Sequence, residues 1–116
     1  FNLKKILNLK GRQLSGGQRR KVEIARTLVA DPKIILLDEP FAGIDPIAVE
    51  DIQSILVNLK NSNIKVLITD HNVREALDIC DESFVISEGK IIANGSKENL
   101  INDELVKKVY LGKMYN

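Results

Sequence analysis

The chain has 116 residues, 44% apolar and 28% charged, with 17 basic against 16 acidic side chains and a formal charge of +1. That is the composition of an ordinary globular protein of at most one domain, so it excludes a disordered chain and offers no basic field for nucleic acid or an anionic membrane. No apolar run reaches the roughly 20 residues of a membrane-spanning helix, and the single Cys80, which suits a reducing compartment, cannot form an internal disulfide.

The chain opens without Met, as Phe1-Asn2-Leu3-Lys4-Lys5, with no long apolar stretch behind it. That start is expected of a piece of a longer protein and not of a secretory leader. Residues 1–13 are mixed and basic, and Gly11 is expected to break a short helix. Ser15 stands at a helix N-cap position with Gln18 three residues on, the pair of a capping box. Val22, Ala25, Leu28 and Val29 recur at helical spacing up to Asp31-Pro32, which stops the helix. Ile34-Ile35-Leu36-Leu37 is apolar at every position, so this strand is expected to be buried on both faces of a parallel sheet.

Asp45-Pro46 starts the next helix, a capping carboxylate followed by proline in the first turn. Its inward stripe is Ile52, Ile55, Leu56 and Leu59, and Asn61-Ser62-Asn63 is the turn beyond it. Ile64 to Thr69 reads as a second buried strand. A short helix follows from about Asn72, with Val73, Ala76, Leu77 and Cys80 on one face. Ser83 to Ser87 and Lys90 to Asn94 read as strands joined at Glu88-Gly89, and two short polar-capped helices complete the chain. The alternation of helix and strand predicts an α/β layer, a partial parallel sheet flanked by helices. Ligands in such sheets sit beyond the carboxyl ends of the strands, which selects Asp38-Glu39 and Asp70-His71.

Three places carry candidate chemistry. In Leu14-Ser15-Gly16-Gly17-Gln18, capping accounts for Ser15 and Gln18 but not for two glycines, each unfavourable in a helix by about 1 kcal/mol relative to alanine. They make sense where something approaches the backbone closely, and the free N–H groups of a helix start suit phosphate. Arg19, Arg20 and Lys21 place positive charge at the same end, where an anion would relieve it and a solvated basic face is the plainer account. Asp38 and Glu39 are adjacent carboxylates at the end of an apolar strand. Either they cap the strand end, or one orients a hydrated magnesium ion while the other polarises a water for attack on phosphorus. His71, the only histidine, is either structural or a hydrogen-bond partner for a terminal phosphate. Cys80 reads as a small core residue, and Phe41, Phe84, Tyr110 and Tyr115 show no spacing for base stacking.

Taken in order, Leu14-Ser15-Gly16-Gly17-Gln18, Ile34-Ile35-Leu36-Leu37-Asp38-Glu39-Pro40, Gly43-Ile44-Asp45-Pro46 and Thr69-Asp70-His71 resemble the signature, Walker B, D-loop and H-loop of the ABC transporter ATPases. The resemblance runs from about residue 12 to the C-terminus. It implies the C-terminal part of a P-loop NTPase nucleotide-binding domain, with residues 1–30 ending a helical subdomain and residues 31–116 running from Walker B to the tail. It implies ATP and Mg2+ as cofactors, Asp38 as the magnesium ligand, Glu39 as general base and His71 at the γ-phosphate. Ser15, Gly16, Gly17, Gln18 and Asp45 would contact nucleotide at the seam with a second, head-to-tail copy of the domain. Transmembrane transporter subunits are the other implied partners, on the inner face of the cytoplasmic membrane, and no nucleic acid is expected. The sequence contains no Gly-x-x-x-x-Gly-Lys-Ser/Thr loop, so the chain by itself is expected to be inactive. Phe41 to Pro46, Asp70 to Glu75 and the tail Val109-Tyr110-Leu111-Gly112 look like the lipopolysaccharide-export branch of that family, though Gln18 stands where that branch is expected to carry Glu. Branched-chain amino-acid importer ATPases and soluble ABC-type ATPases are the alternatives.

Overall fold

Local chemistry sets where each element begins. In the computed structural model, which describes residues 1–111, two short 3-10 turns (Lys4–Ile6 and Gly11–Gln13) lead into α1 (Gly16–Leu28), β1 (Ile34–Asp38), α2 (Pro46–Asn61) and β2 (Lys65–Thr69). There follow α3 (Val73–Ile79), β3 (Ser83–Ser87), β4 (Lys90–Gly95), α4 (Lys97–Ile101), α5 (Glu104–Val106) and a π-helical turn at Lys107–Leu111. Ser15, Asp45, Ser96 and Asp103 each cap a helix start by accepting a backbone N–H of its first turn. Pro46 occupies the first helical position of α2, where its missing N–H costs nothing. Gly11 opens the second 3-10 turn and does not break a helix. Gly112 and Tyr115 lie outside the described residues.

The residues divide into two units, Phe1–Asn72 and Val73–Asn116; the expected boundary at residues 30 and 31 falls inside the first, between α1 and β1. In the first unit β1 and β2 pair in parallel, from Ile34 opposite Lys65 to Asp38 opposite Thr69. The helix α2 packs on β2, and α1 packs on α2. Burial of Ile52, Ile55, Leu56 and Leu59 matches the expected stripe of α2. The expected stripe of α1 does not hold. Gly17 and Ile24 are its buried positions, with Lys21 and Leu28 half-buried on the same face, while Val29 is 86% exposed. That face repeats at i, i+4, i+7 and i+11, one helical stripe read through a glycine and a lysine stem.

The strands differ from expectation too. Ile35 is buried and Leu37, Val66 and Ile68 half-buried on one face, but Ile34, Leu36 and Leu67 are 58%, 70% and 59% exposed on the other. An unbroken apolar run tells that both faces are apolar, not that both are covered by the described residues.

In the second unit β3 and β4 form an antiparallel hairpin turned by Glu88 and Gly89, both at positive φ (+51° and +76°), the geometry a tight two-residue hairpin favours. Its inner residues Val85 and Ala93 pack against Leu77 of α3, Leu100 of α4 and Val106 of α5. The face expected for α3 is the one that packs, with Leu77 buried and Val73, Ala76 and Cys80 half-buried.

Candidate active site

The first unit brings three of the candidate residues to one place. Because β1 and β2 end in register, Asp38 and Thr69 are neighbours, and the Thr69 hydroxyl donates to Asp38 Oδ1 at 2.5 Å. The next residue leaves the ladder. Glu39 has φ +52°, a left-handed conformation uncommon outside glycine, yet its N–H still donates to the Thr69 carbonyl at 2.6 Å. Pro40 and Phe41 are buried and anchor the turn that follows. The Glu39 carboxylate is thereby held beyond the strand ends, 3.5 Å from His71 Nε2, with the two side chains 47% and 85% exposed. A carboxylate and an imidazole side by side in solvent, next to a second carboxylate braced by a hydroxyl, can accept a proton, donate a hydrogen bond and ligate a cation.

Asp70, next to His71 in sequence, is half-buried. Its Oδ2 accepts the Phe41 N–H at 3.0 Å, and its Oδ1 accepts the Asn72 backbone and side-chain N–H groups at 2.8 and 2.7 Å.

The start of α1 has a different character. Both bonds of the capping box are made, Gln18 N–H to Ser15 Oγ at 3.1 Å and Ser15 N–H to Gln18 Oε1 at 2.9 Å. A Cβ added at Gly17 would lie 2.6 Å from the Ala48 Cβ, and one at Gly16 would lie 3.2 Å from the Gly43 carbonyl. The close approach that the two glycines permit is therefore that of α1 to the first turn of α2 and the segment before it. Asp45 in that segment accepts the Ala48 N–H at 2.8 Å.

The basic run is likewise engaged within the chain. Arg19 donates to the Gly11 carbonyl, Lys21 pairs with Asp51 at 2.8 Å, and Arg20 donates to the carbonyls of Glu39 and Ala42 at 2.7 and 3.3 Å while pairing with Glu23. Each of the three cations near the helix start thus has a partner within the chain. Arg20 in particular joins α1 to the turn that carries Glu39. Sequence alone made it one of three surface cations, and no residue pattern distinguishes it from Arg19.

Among the described residues no cluster of three or more His, Cys, Asp or Glu side chains could cage a metal. Magnesium rarely asks for one: it takes one or two carboxylates and completes its shell with water and substrate phosphates. Asp38, exposed at the strand end with one oxygen fixed by Thr69, fits that plan.

Comparison with known proteins bears on the family and the fold. The ABC transporter family matches residues 1–42. The lipopolysaccharide export system ATP-binding protein of Haemophilus influenzae is 57% identical over 99% of this chain and 48% of its own length. The protein of the same description from Escherichia coli is 53% identical over 97% of this chain and 47% of its own length. The chain therefore spans about half the length of the curated relatives it matches. Among solved structures, an ATP-binding cassette of an ABC transporter in its ADP conformation superposes with a TM-score of 0.78 at 38% identity, covering 87% of this chain and 41% of that one. A bacterial ABC transporter cassette solved as a dimer does so with a TM-score of 0.70 at 30% identity, covering 80% and 40%.

Proposed function

Because the chain belongs to the ABC transporter ATP-binding family, we propose that it forms part of an ATP-hydrolysing subunit that drives lipopolysaccharide export. The observation that carries the chemistry is the meeting of Asp38, Glu39 and His71 at the carboxyl ends of two parallel strands. Glu39 acts as the general base, taking a proton from the attacking water through a carboxylate that the turn holds clear of the sheet. His71, 3.5 Å away, steadies that carboxylate and donates a hydrogen bond toward the terminal phosphate. Asp38 would hold magnesium, which when bound neutralises charge on the phosphates. Ser15, Gly16, Gly17, Gln18 and Asp45 would meet the nucleotide bound by a second copy of the subunit, an arrangement consistent with the dimeric cassette among the structural neighbours. Transmembrane subunits would couple hydrolysis to transport from the inner face of the cytoplasmic membrane. No described helix is long and apolar enough to cross a membrane itself.

The export reading is supported by identities of 57% and 53% to proteins of that description, sustained over nearly the whole chain. Glu39→Gln in the complete subunit tests the chemistry. ATP turnover should fall by about 100-fold or more while ATP remains bound, since size and hydrogen bonding persist and only the proton acceptor is lost. Near-normal turnover would remove Glu39 as base. Depletion of the subunit should leave lipopolysaccharide at the inner membrane; loss of leucine uptake instead would assign the transporter to amino-acid import.

A further inference from the structure

We infer that Asp70 is a positioning residue for the Glu39–His71 pair, a tether that sets how the two strand-end loops stand relative to each other. The inference rests on the reading of Glu39 as base. One carboxylate oxygen holds the Phe41 N–H, on the loop after β1. The other holds both N–H donors of Asn72, on the loop after β2. Asp70 is itself bonded in sequence to His71, so one side chain ties the segment carrying Glu39 to the segment carrying His71.

The sheet cannot do this alone. Glu39 makes the last cross-strand contact through its N–H to Thr69, then turns away at φ +52°. The next residue, Pro40, has no N–H to offer. Phe41 carries the first backbone N–H beyond Glu39, and Asp70 holds it at 3.0 Å. Glu39 is thus fixed from both sides, by the ladder before it and the tether two residues after it. A carboxylate suits the task because both oxygens accept and neither carries a hydrogen. Asparagine would keep one acceptor and set its own N–H groups against the donor on the other side.

The test is steady-state ATPase kinetics on the complete subunit. Asp70→Ala should lower kcat by about tenfold or more with KM for magnesium–ATP changed by less than about twofold, because the tether controls placement and not binding. Asp70→Asn, with one acceptor left, should fall between Asp70→Ala and the parent. In a Glu39→Gln background, Asp70→Ala should lower the residual rate by less than about twofold, since the base through which the tether mainly acts is already gone. An unchanged kcat in Asp70→Ala beside an inactive Glu39→Gln overturns the tether and leaves the base standing. Equal fold-losses in both backgrounds also overturn it, making Asp70 a general structural residue. Should Glu39→Gln turn over normally, base and tether fall together. If Asp70→Ala fails to fold, Asp70→Asn carries the same comparison, with the same split between kcat and KM expected at smaller size.

Discussion

At the start of α1 the unusual residues have partners within their own chain, whereas at the ends of β1 and β2 they reach into solvent. Ser15 and Gln18 satisfy each other, Gly17 makes room for Ala48, and the three basic residues bind carbonyls or carboxylates of the first unit. Glu39 and His71 stand 3.5 Å apart, with the His71 side chain 85% exposed. The surrounding backbone is nonetheless held by Thr69, Arg20 and Asp70. Packing explains the residue types of the first place and leaves those of the second unexplained. A braced backbone carrying solvent-facing side chains is what supports the proposed chemistry at this place.

That contrast is most exposed to failure at Gly17. A methyl group there would sit 2.6 Å from Ala48 Cβ, too close for any real contact. Alanine would gain up to about 1 kcal/mol in helix propensity, but overpacking costs about 1–3 kcal/mol, so the clash should win. Gly17→Ala is expected to lower stability by up to about 2 kcal/mol in urea unfolding. Ala48→Gly in the same chain should recover part of the loss, with a coupling of about 1 kcal/mol or more. Simple additivity would mean that α1 is free to shift and that the glycine serves a ligand alone.

The cap offers a smaller lever. Ser15→Ala removes the acceptor for the Gln18 N–H and should cost about 1 kcal/mol. A change in nucleotide affinity without that loss would move Ser15 from the structural group to the ligand-binding one.

How much of this could be read in advance depended on whether the cause was local. Helix α2 was legible because a capping Asp, a proline and a 3.6-residue stripe all agree. The stripe of α1 was misphased because its packed face runs through Gly17 and Lys21, which carry no hydrophobic signal, while Val29 carries a strong one and faces solvent. The placement of Asp38, Glu39 and His71 followed from the rule for parallel strand ends. Nothing in the sequence marked the left-handed turn at Glu39, since glutamate is not a residue that turn favours. The long-range bonds of Arg20 and Asp70 were equally hidden, because they reach backbone groups 19 to 29 residues away.

The left-handed turn gives the finest test of the comparison. An L-residue in that conformation carries a cost of about 1–2 kcal/mol that glycine avoids, while glycine enlarges the unfolded ensemble and returns about 0.4–1 kcal/mol of the gain. Glu39→Gly should therefore be more stable than Glu39→Ala by about 0.5–1 kcal/mol, the alanine variant serving to remove the carboxylate at unchanged φ. The bonds from the Glu39 N–H to Thr69 and from Arg20 to the Glu39 carbonyl involve backbone atoms and survive in both variants. Both should be inactive in the complete subunit. Equal stability, or alanine ahead, would show that the turn relaxes to negative φ and stores no strain. The expected order means that, once the carboxylate is removed, the fold accepts glycine at this position more readily than an L-residue. A carboxylate that packing does not account for, on a backbone held by Thr69, Arg20 and Asp70, is what the proposed role of Glu39 as general base requires.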